Sequence, residues 1–200
     1  MPSPIEDYAL VGDCETAAII GRDGSVDWLC WPRFDSDACF AALLGGAEQG
    51  RWLLAPSDRV GCVTQRRYRD DTLILETRFD TADGAVLLID FMPPRSGHSN
   101  LVRVVVGKRG HIPMRTELAV RFGYGATVPW VHRQEDGTLH PSLRGESSSH
   151  CSGAWRQHRR SCARAGQARS EGRFSNGSGC KRFIRAPRRR SQVDLTGHRC

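Results

Sequence analysis

The stretch DCETAAIIGRDGSVDWLCWPRFDSDACFAALL, residues 13–44, decides the fold. Small and β-branched residues at 16–20 predict one strand, residues 26–31 predict a second, and Arg-Asp-Gly at 22–24 is typical of a tight turn between them. Side chains alternate along a strand, and both faces of the second strand carry bulky residues. We therefore predict a β-hairpin whose second strand is buried on both sides.

The residues that follow the hairpin predict a loop and then a short helix. Pro32 removes a backbone donor and ends the second strand, and Ser36 or Asp37 can cap a helix that begins after it. Residues 38–44 are good helix formers, and the glycine at position 45 ends the pattern. One short helix is predicted over residues 38–44.

The loop before this helix combines a cation, an aromatic ring and a carboxylate beside a tryptophan. These residues are Trp31, Arg33, Phe34 and Asp35. An aromatic face can stack on a hydroxylated ring, and Arg33 and Asp35 can bond its hydroxyl groups. We take the four residues as a candidate substrate-binding site. The alternative is an internal Arg33–Asp35 pair that only fixes the loop in place.

Outside this region, short strands separated by turns recur along the chain. Residues 60–69 mix β-branched and basic side chains, as an exposed edge strand does, and residues 82–84 suit the loop of a hairpin. The further predicted strands cover residues 8–11, 51–54, 60–69, 72–81, 85–92, 101–106, 114–122 and 127–133. Roughly ten short strands and one short helix predict a mainly β fold, an antiparallel β-sandwich.

Charge and apolar content divide the chain near residue 139. Residues 1–139 hold 15 Lys and Arg against 19 Asp and Glu, whereas residues 140–200 hold 14 against 3, so all of the net positive charge lies in the second segment. That segment has too few large apolar residues to offset the entropy of ordering its chain. We predict an incomplete sandwich domain over residues 1–139 and a disordered Arg/Ser/Gly-rich tail over 140–200.

The change of composition has no linker at its boundary. An abrupt excess of Arg, Ser, Gly and Ala is typical of a GC-rich gene read out of register, so we expect a frameshift near residues 137–141. Sequencing the gene across this boundary tests that hypothesis. If the restored frame encodes no further strands, the hypothesis is wrong.

Five segments carry a family resemblance in the order in which they occur. They are IEDYALVGDCETAAIIGRDGSVDWLCWPRFDSDACFAALLG (5–45), GRWLLAP (50–56), RRYRDDTLILET (66–77), DGAVLLIDFMPPR (83–95) and FGYG (122–125). Together they resemble the N-terminal part of bacterial family 15 glycoside hydrolases, the trehalase- and glucoamylase-like enzymes. The resemblance implies a β-sandwich that precedes an (α/α)6 barrel, and an α-glucosidic substrate such as trehalose or a malto-oligosaccharide.

Hydrolysis of a glycosidic bond needs two carboxyl groups, and in inverting enzymes these stand roughly 6.5–9.5 Å apart. The resemblance implies that both are glutamates of the barrel, which this chain ends too early to include. Residues that offer carboxylates here are Asp7, Asp13, Asp27, Asp35, Asp70, Asp71 and Asp90. We interpret Asp70 and Asp71 as turn residues, and Asp27 and Asp90 as strand residues with local hydrogen bonds. No catalytic residue is assigned, and the chain alone is expected to be inactive.

The sequence contains no motif that is typical of a cofactor-binding or metal-binding site. The His and Cys residues of the tail do not have the spacing of a zinc module, and Gly21 to Gly24 lacks the Lys and Ser or Thr of a phosphate-binding loop. Four cysteines within apolar patterns are expected to be buried small hydrophobes: Cys14, Cys30, Cys39 and Cys62. We expect no cofactor and no metal.

The expected location is the cytoplasm, because the first residues lack a secretory signal and no apolar run is long enough to span a membrane. In the intact enzyme, the expected partner is the catalytic barrel. A second hypothesis is a binding module without enzymatic activity. It would bind either carbohydrate through the tryptophan loop or polyanions through Arg188, Arg189 and Arg190 of the tail. A specific nucleic-acid partner is not expected, because no base-reading motif accompanies these arginines.

Overall fold

The computed structural model describes residues 3–95, 99–133, 135, 139–142, 156–158, 170–174 and 181–185, and beyond residue 131 the strands are described by their backbone. Within these residues the chain forms two antiparallel sheets and a small hairpin. The strands are β1 (Tyr8–Gly12), β2 (Ala17–Gly21), β3 (Ser25–Cys30), β4 (Ala38–Phe40), β5 (Arg51–Pro56), β6 (Val63–Tyr68), β7 (Leu75–Thr81), β8 (Gly84–Phe91), β9 (Val102–Gly110), β10 (Ile112–Ala119), β11 (Trp130–Arg133), β12 (Leu139–Ser142), β13 (Arg156–His158), β14 (Ser170–Phe174) and β15 (Lys181–Arg185).

The first sheet has the order β1-β2-β3-β5-β10-β14, with β4 also paired to β3, and the second has the order β13-β15-β9-β8-β7-β6. Side chains from both sheets meet in one core, in which Phe40, Trp52 and Phe79 are almost fully buried. The mainly β, antiparallel fold predicted from the sequence is confirmed. The predicted edge strand is confirmed too, since β6 lies at the end of its sheet.

The helix predicted over residues 38–44 is wrong. Residues 38–40 form β4, in which Phe40 pairs with Leu29 and is completely buried, and Ala42–Leu44 form one 3-10 turn. The backbone N–H groups of Ala41 and Ala42 both donate to the Gly50 carbonyl, at 3.1 Å each, which turns the chain away from β4. Pairing with β3 and burial of Phe40 therefore override the helix propensity of these residues.

The opening hairpin is confirmed as β2 and β3, with a bulge that shifts their register after Ile19. The bulge places Ile20, Val26 and Leu29 in the core and leaves Trp28 on the opposite face of the first sheet. The cysteines follow the prediction only in part. Cys30 and Cys39 are buried and Cys62 is partly buried, whereas Cys14 is exposed in a turn with φ of 72°.

Side chains close the sandwich where the edge strands β1 and β6 meet. The Tyr68 hydroxyl accepts the N–H of Leu10 and donates to the Leu10 carbonyl, at 2.9 Å each. Arg66 donates from Nη1 to the carbonyls of Asp7 at 2.7 Å and Ile20 at 3.2 Å. Burial lowers the pKa of Arg66. The two sheets are thus joined at this edge by hydrogen bonds from side chain to backbone.

The predicted disordered tail lies mainly outside the described residues. Four short segments of it are described: residues 140–142 of β12 and the strands β13, β14 and β15. β14 pairs with β10 of the first sheet, and β15 pairs with β9 of the second. The sequence predicted no strands there.

Candidate functional site

The loop between β3 and β4 carries the four residues predicted as a substrate-binding site. It begins with a cis peptide bond between Trp31 and Pro32. The Phe34 N–H donates to the Glu15 carbonyl at 2.9 Å, and the Arg33 N–H donates to the Ser36 Oγ at 3.2 Å. Hydrogen bonds to the β1–β2 turn and within the loop itself therefore set the position of residues 33–36.

Arg95, in the segment that follows β8, fixes the start of this loop. Its Nη2 donates to the Pro32 carbonyl at 2.5 Å, its Nη1 to Glu15 Oε2 at 2.7 Å and its Nε to Asp13 Oδ2 at 3.2 Å. The Ser99 hydroxyl also donates to the Pro32 carbonyl, at 3.4 Å. One arginine thus ties the loop to the β1–β2 turn. Arg95 could not be identified from local sequence patterns, because its partners lie more than 60 residues away along the chain.

The buried Asp13 is the acidic centre of this anchor. Its side chain is fully buried, and its Oδ1 accepts the N–H groups of Glu15 at 3.1 Å and Thr16 at 2.9 Å. Burial alone would raise the pKa of Asp13, but the backbone donors and Arg95 outweigh it and hold the pKa below its usual value. A charged carboxylate at position 13 therefore stabilises the turn and the loop that rests on it.

The structure places the four predicted residues in three different environments. Trp31 is partly buried and packs against the core, whereas the Phe34 side chain is 62% exposed. Arg33 Nε bonds Asp35 Oδ1 at 2.9 Å, and both side chains face solvent. Hydrogen bonding to Arg33 lowers the pKa of Asp35, and the same bond raises the pKa of Arg33. The loop thus presents an exposed ring beside a solvated ion pair, while Trp31 faces inward.

Several of the other aspartates already have polar partners. Asp7 bonds Arg22 at 2.8 Å, and Asp27 accepts the hydroxyls of Tyr8 and Ser25. Asp90 pairs with Arg103 on the adjacent strand, so its partner is a cation and not the local hydrogen bond that we expected. Within the described part of the chain, no three His, Cys, Asp or Glu side chains cluster as metal ligands would. Nor does any helix there have the length and apolar character to cross a membrane.

A second aromatic group lies on the outer face of the first sheet, and the sequence analysis did not identify it. The ring centroids of Trp28 and Tyr124 are 5.9 Å apart, and the ring planes are tilted by 39°. The available signal was the position of Trp28 beside core residues of β3, together with a tyrosine between two glycines in the FGYG segment. The contact itself joins residues 96 positions apart (124 minus 28), which spacing alone does not predict.

Acid should weaken the Asp13 anchor. Because the folded-state pKa of Asp13 is lowered, its contribution to stability is present above the unfolded pKa of about 4 and is lost as the pH falls below that value. We expect the urea midpoint of the chain to fall between pH 5 and pH 3. Asp13→Asn should lower the midpoint at pH 7 and reduce this acid-dependent loss.

Part of the acid sensitivity should remain in Asp13→Asn, because hydrogen bonding to Arg69 also lowers the pKa of Glu76. Asp71→Asn changes an exposed carboxylate and is the matched control. An Asp13→Asn variant with the same pH profile as the Asp71→Asn control would contradict the anchoring role.

Comparison with known proteins shows that the chain matches one family model. The chain matches the family model "Trehalase-like, N-terminal" over residues 1–143. It is 42% identical to the trehalase of Mycolicibacterium smegmatis over 87 residues, which are 44% of this chain and 13% of that protein. It is 31% identical to trehalase 2 of Sulfolobus acidocaldarius over 133 residues, 66% of this chain and 21% of that protein.

The trehalase of Thermoplasma volcanium is 27% identical over 141 residues, which are 68% of this chain and 22% of that protein. The chain thus spans about a fifth or less of the length of these curated relatives. No solved structure gives a significant match.

Proposed function

Because the chain belongs to the trehalase-like N-terminal family, we propose that it is the non-catalytic N-terminal domain of a glycoside hydrolase that acts on α-glucosidic saccharides. The substrate would be trehalose or a malto-oligosaccharide. The family match over residues 1–143 is the observation that carries the proposal. The names of the relatives support the substrate class, and their length supports a catalytic part outside the matched region.

We further propose that the enzyme is of the family 15 type, whose catalytic (α/α)6 barrel would be the partner of this domain. The β-sandwich fold is in agreement with such a scaffold, although fold alone does not determine function. The carboxylates at positions 7, 13, 27, 35 and 90 each have a cation or hydroxyl partner, which favours structural roles for them. The acid and base of the reaction would come from the barrel.

A chimeric enzyme tests the proposed scaffold role. Residues 1–143 of this chain would replace the matched N-terminal part of the Thermoplasma volcanium trehalase, with which the chain aligns over 141 residues. We expect the chimera to hydrolyse trehalose, whereas a deletion of that part should lose activity. The purified 200-residue chain should release no glucose. Glucose release by the isolated chain that is lost in Asp27→Asn or Asp35→Asn would contradict the proposal.

The exposed part of the β3–β4 loop is proposed to contact the substrate. Arg33→Ala in the chimera should raise the KM for trehalose about tenfold, because a hydrogen bond to a charged group contributes about 1.5–3 kcal/mol. The melting temperature should stay unchanged, since Arg33 is exposed. The KM thus reports substrate binding by Arg33, and the melting temperature reports its contribution to packing.

Arg78→Ala is the matched control for this loop variant. Arg78 is also exposed and bonds an aspartate two residues later, Asp80, but on the second sheet. It should change neither KM nor the melting temperature. If Arg33→Ala instead lowers the melting temperature and leaves KM as it is, the loop has only a structural role.

A further inference from the structure

The aromatic pair of Trp28 and Tyr124 lies on the side of the first sheet that faces away from the core. Trp28 is half-buried and packs against Cys30, Ala38 and Ala41, which form a small cluster separate from the main core. Tyr124 is 46% exposed and contacts the Trp28 ring. The two rings therefore form one aromatic surface, with Trp28 held by the sheet and Tyr124 open to solvent.

A tight turn holds Tyr124 in this position. Phe122 and Thr127 close the turn by two backbone hydrogen bonds, of 2.9 Å and 3.0 Å. Between them, Gly123, Tyr124 and Gly125 all have positive φ, of 57°, 59° and 99°. This conformation is unfavourable for tyrosine, whereas glycine adopts it readily. The backbone geometry thus favours glycine at position 124, and the chain has a tyrosine there, whose ring contacts Trp28.

Neighbouring elements support the turn. The Arg121 N–H donates to the Cys39 carbonyl at 3.1 Å, which places the turn beside β4. Gly125 lies directly against Gln49, since a Cβ at position 125 would be 2.9 Å from the Gln49 Cγ. Gln49 Oε1 in turn accepts the Gly46 N–H at 2.6 Å. The ring of Tyr124 is therefore carried by a packed turn.

Polar groups accompany the two rings. Asp27 precedes Trp28, and its carboxylate accepts the hydroxyls of Tyr8 at 2.9 Å and Ser25 at 2.5 Å. Burial of Tyr8 and its hydrogen bond to Asp27 raise the pKa of its hydroxyl. The strand that holds Trp28 therefore also carries the Asp27 carboxylate and the Ser25 hydroxyl, which bond each other.

We propose that Trp28 and Tyr124 form a binding platform for α-linked saccharides, separate from the β3–β4 loop. Pyranose rings combine apolar C–H faces with hydroxyl groups, which matches aromatic faces beside polar side chains. The choice of α-linked sugar rests on the proposed function; the aromatic platform itself rests on the geometry.

Titration of the full 200-residue chain with saccharides tests the platform. The probes are trehalose, maltose and maltoheptaose, with the β-linked cellohexaose for comparison, and binding is measured by calorimetry. We expect millimolar dissociation constants for the α-linked probes and weaker binding of cellohexaose. Tyr124→Gly should weaken binding at least about tenfold. Its melting temperature should stay near that of the parent chain, because glycine suits the backbone at this position.

Two further variants locate the binding. Trp28→Phe keeps a ring against Ala38 and Ala41 and should weaken binding less than Tyr124→Gly. Phe34→Ala removes an exposed ring of the β3–β4 loop and should weaken binding of maltoheptaose less than Tyr124→Gly does. If Phe34→Ala removes binding and Tyr124→Gly does not, the saccharide binds at the loop and the platform proposal is wrong.

The remaining outcomes also decide the question. If no α-linked saccharide binds, or if cellohexaose binds equally well, the inference fails. If the parent chain binds the probes and Tyr124→Gly binds them unchanged, it fails as well. None of these results affects the scaffold role, because the chimera tests that role by trehalose hydrolysis without reference to Trp28 or Tyr124.

Discussion

Arg103→Met is expected to lower the free energy of unfolding by about 3–5 kcal/mol, because it leaves a buried carboxylate without its cation. Arg103 and Asp90 are both fully buried and bond at 2.8 Å. Arg103 also donates to the carbonyls of Trp52 and Gly24, at 2.7 Å each. Its guanidinium group lies 5.2 Å from the centre of the Trp52 ring. One side chain of β9 thus joins the second sheet to the first.

Urea denaturation at pH 7 measures the loss in free energy of unfolding, and two further variants serve as comparisons. Arg78→Met interrupts a solvated pair with Asp80 and should leave the urea midpoint unchanged. The double variant Arg103→Met, Asp90→Leu should be less destabilised than Arg103→Met alone, because no unpaired charge remains. If the double variant is the less stable of the two, the unpaired carboxylate is not the cause.

The destabilisation should also depend on pH. Burial raises the pKa of Asp90, and in the parent chain Arg103 opposes that rise. In Arg103→Met the opposing charge is absent, so Asp90 takes up a proton more readily in the folded state. A group with a raised folded-state pKa loses its stabilising effect as the pH rises. The deficit of Arg103→Met should therefore be larger at pH 8 than at pH 5.

Gly24→Ala is expected to cost about 2–5 kcal/mol, the sum of an unfavourable backbone conformation and a steric clash. Gly24 has φ of 84° in the turn between β2 and β3. A Cβ at this position would collide with the Leu54 carbonyl oxygen and lie 3.4 Å from the Phe79 ring. Because Arg103 bonds the Gly24 carbonyl, a shift of this turn would also disturb the buried ion pair.

Gly61→Ala separates the cost of the backbone conformation from the cost of the steric clash. Gly61 has φ of 66°, but no atom lies within 4 Å of the position that its Cβ would take. Only the backbone cost of about 1–2 kcal/mol is expected there. Thermal unfolding of both variants gives the comparison. Equal losses in the two would show that the contact with Leu54 contributes nothing.

Local sequence patterns predicted the strands well because alternation and turn residues act over short distances. The hairpin of residues 16–31 and the β7–β8 hairpin follow from such patterns, and both are present. Residues 38–44 were mispredicted because their conformation depends on pairing with β3, which their own propensities do not reveal. The strands of the sandwich were therefore predictable where the local sequence determines the conformation.

In the candidate site, too, contacts between sequence neighbours were predictable and contacts between distant residues were not. Arg33 and Asp35 are two residues apart, and their contact could be anticipated from the sequence. The anchor at Arg95, the Arg103 contacts and the Trp28–Tyr124 pair join distant strands, so only the folded chain brings them together. An arginine inside the apolar run of residues 101–106 was a visible signal of a buried pair, but its partner was not visible.

The two hydrogen bonds between Tyr68 and Leu10 affect where another strand can pair with the first sheet. At the β1 edge, the backbone groups of Leu10 that would receive another strand are already occupied by a phenol. At the opposite end, β10 and β9 each accept a further strand, β14 and β15. A further strand therefore cannot pair with Leu10 at the β1 edge, because both of its outward backbone groups are bonded to Tyr68, whereas the opposite ends of both sheets already pair with later strands.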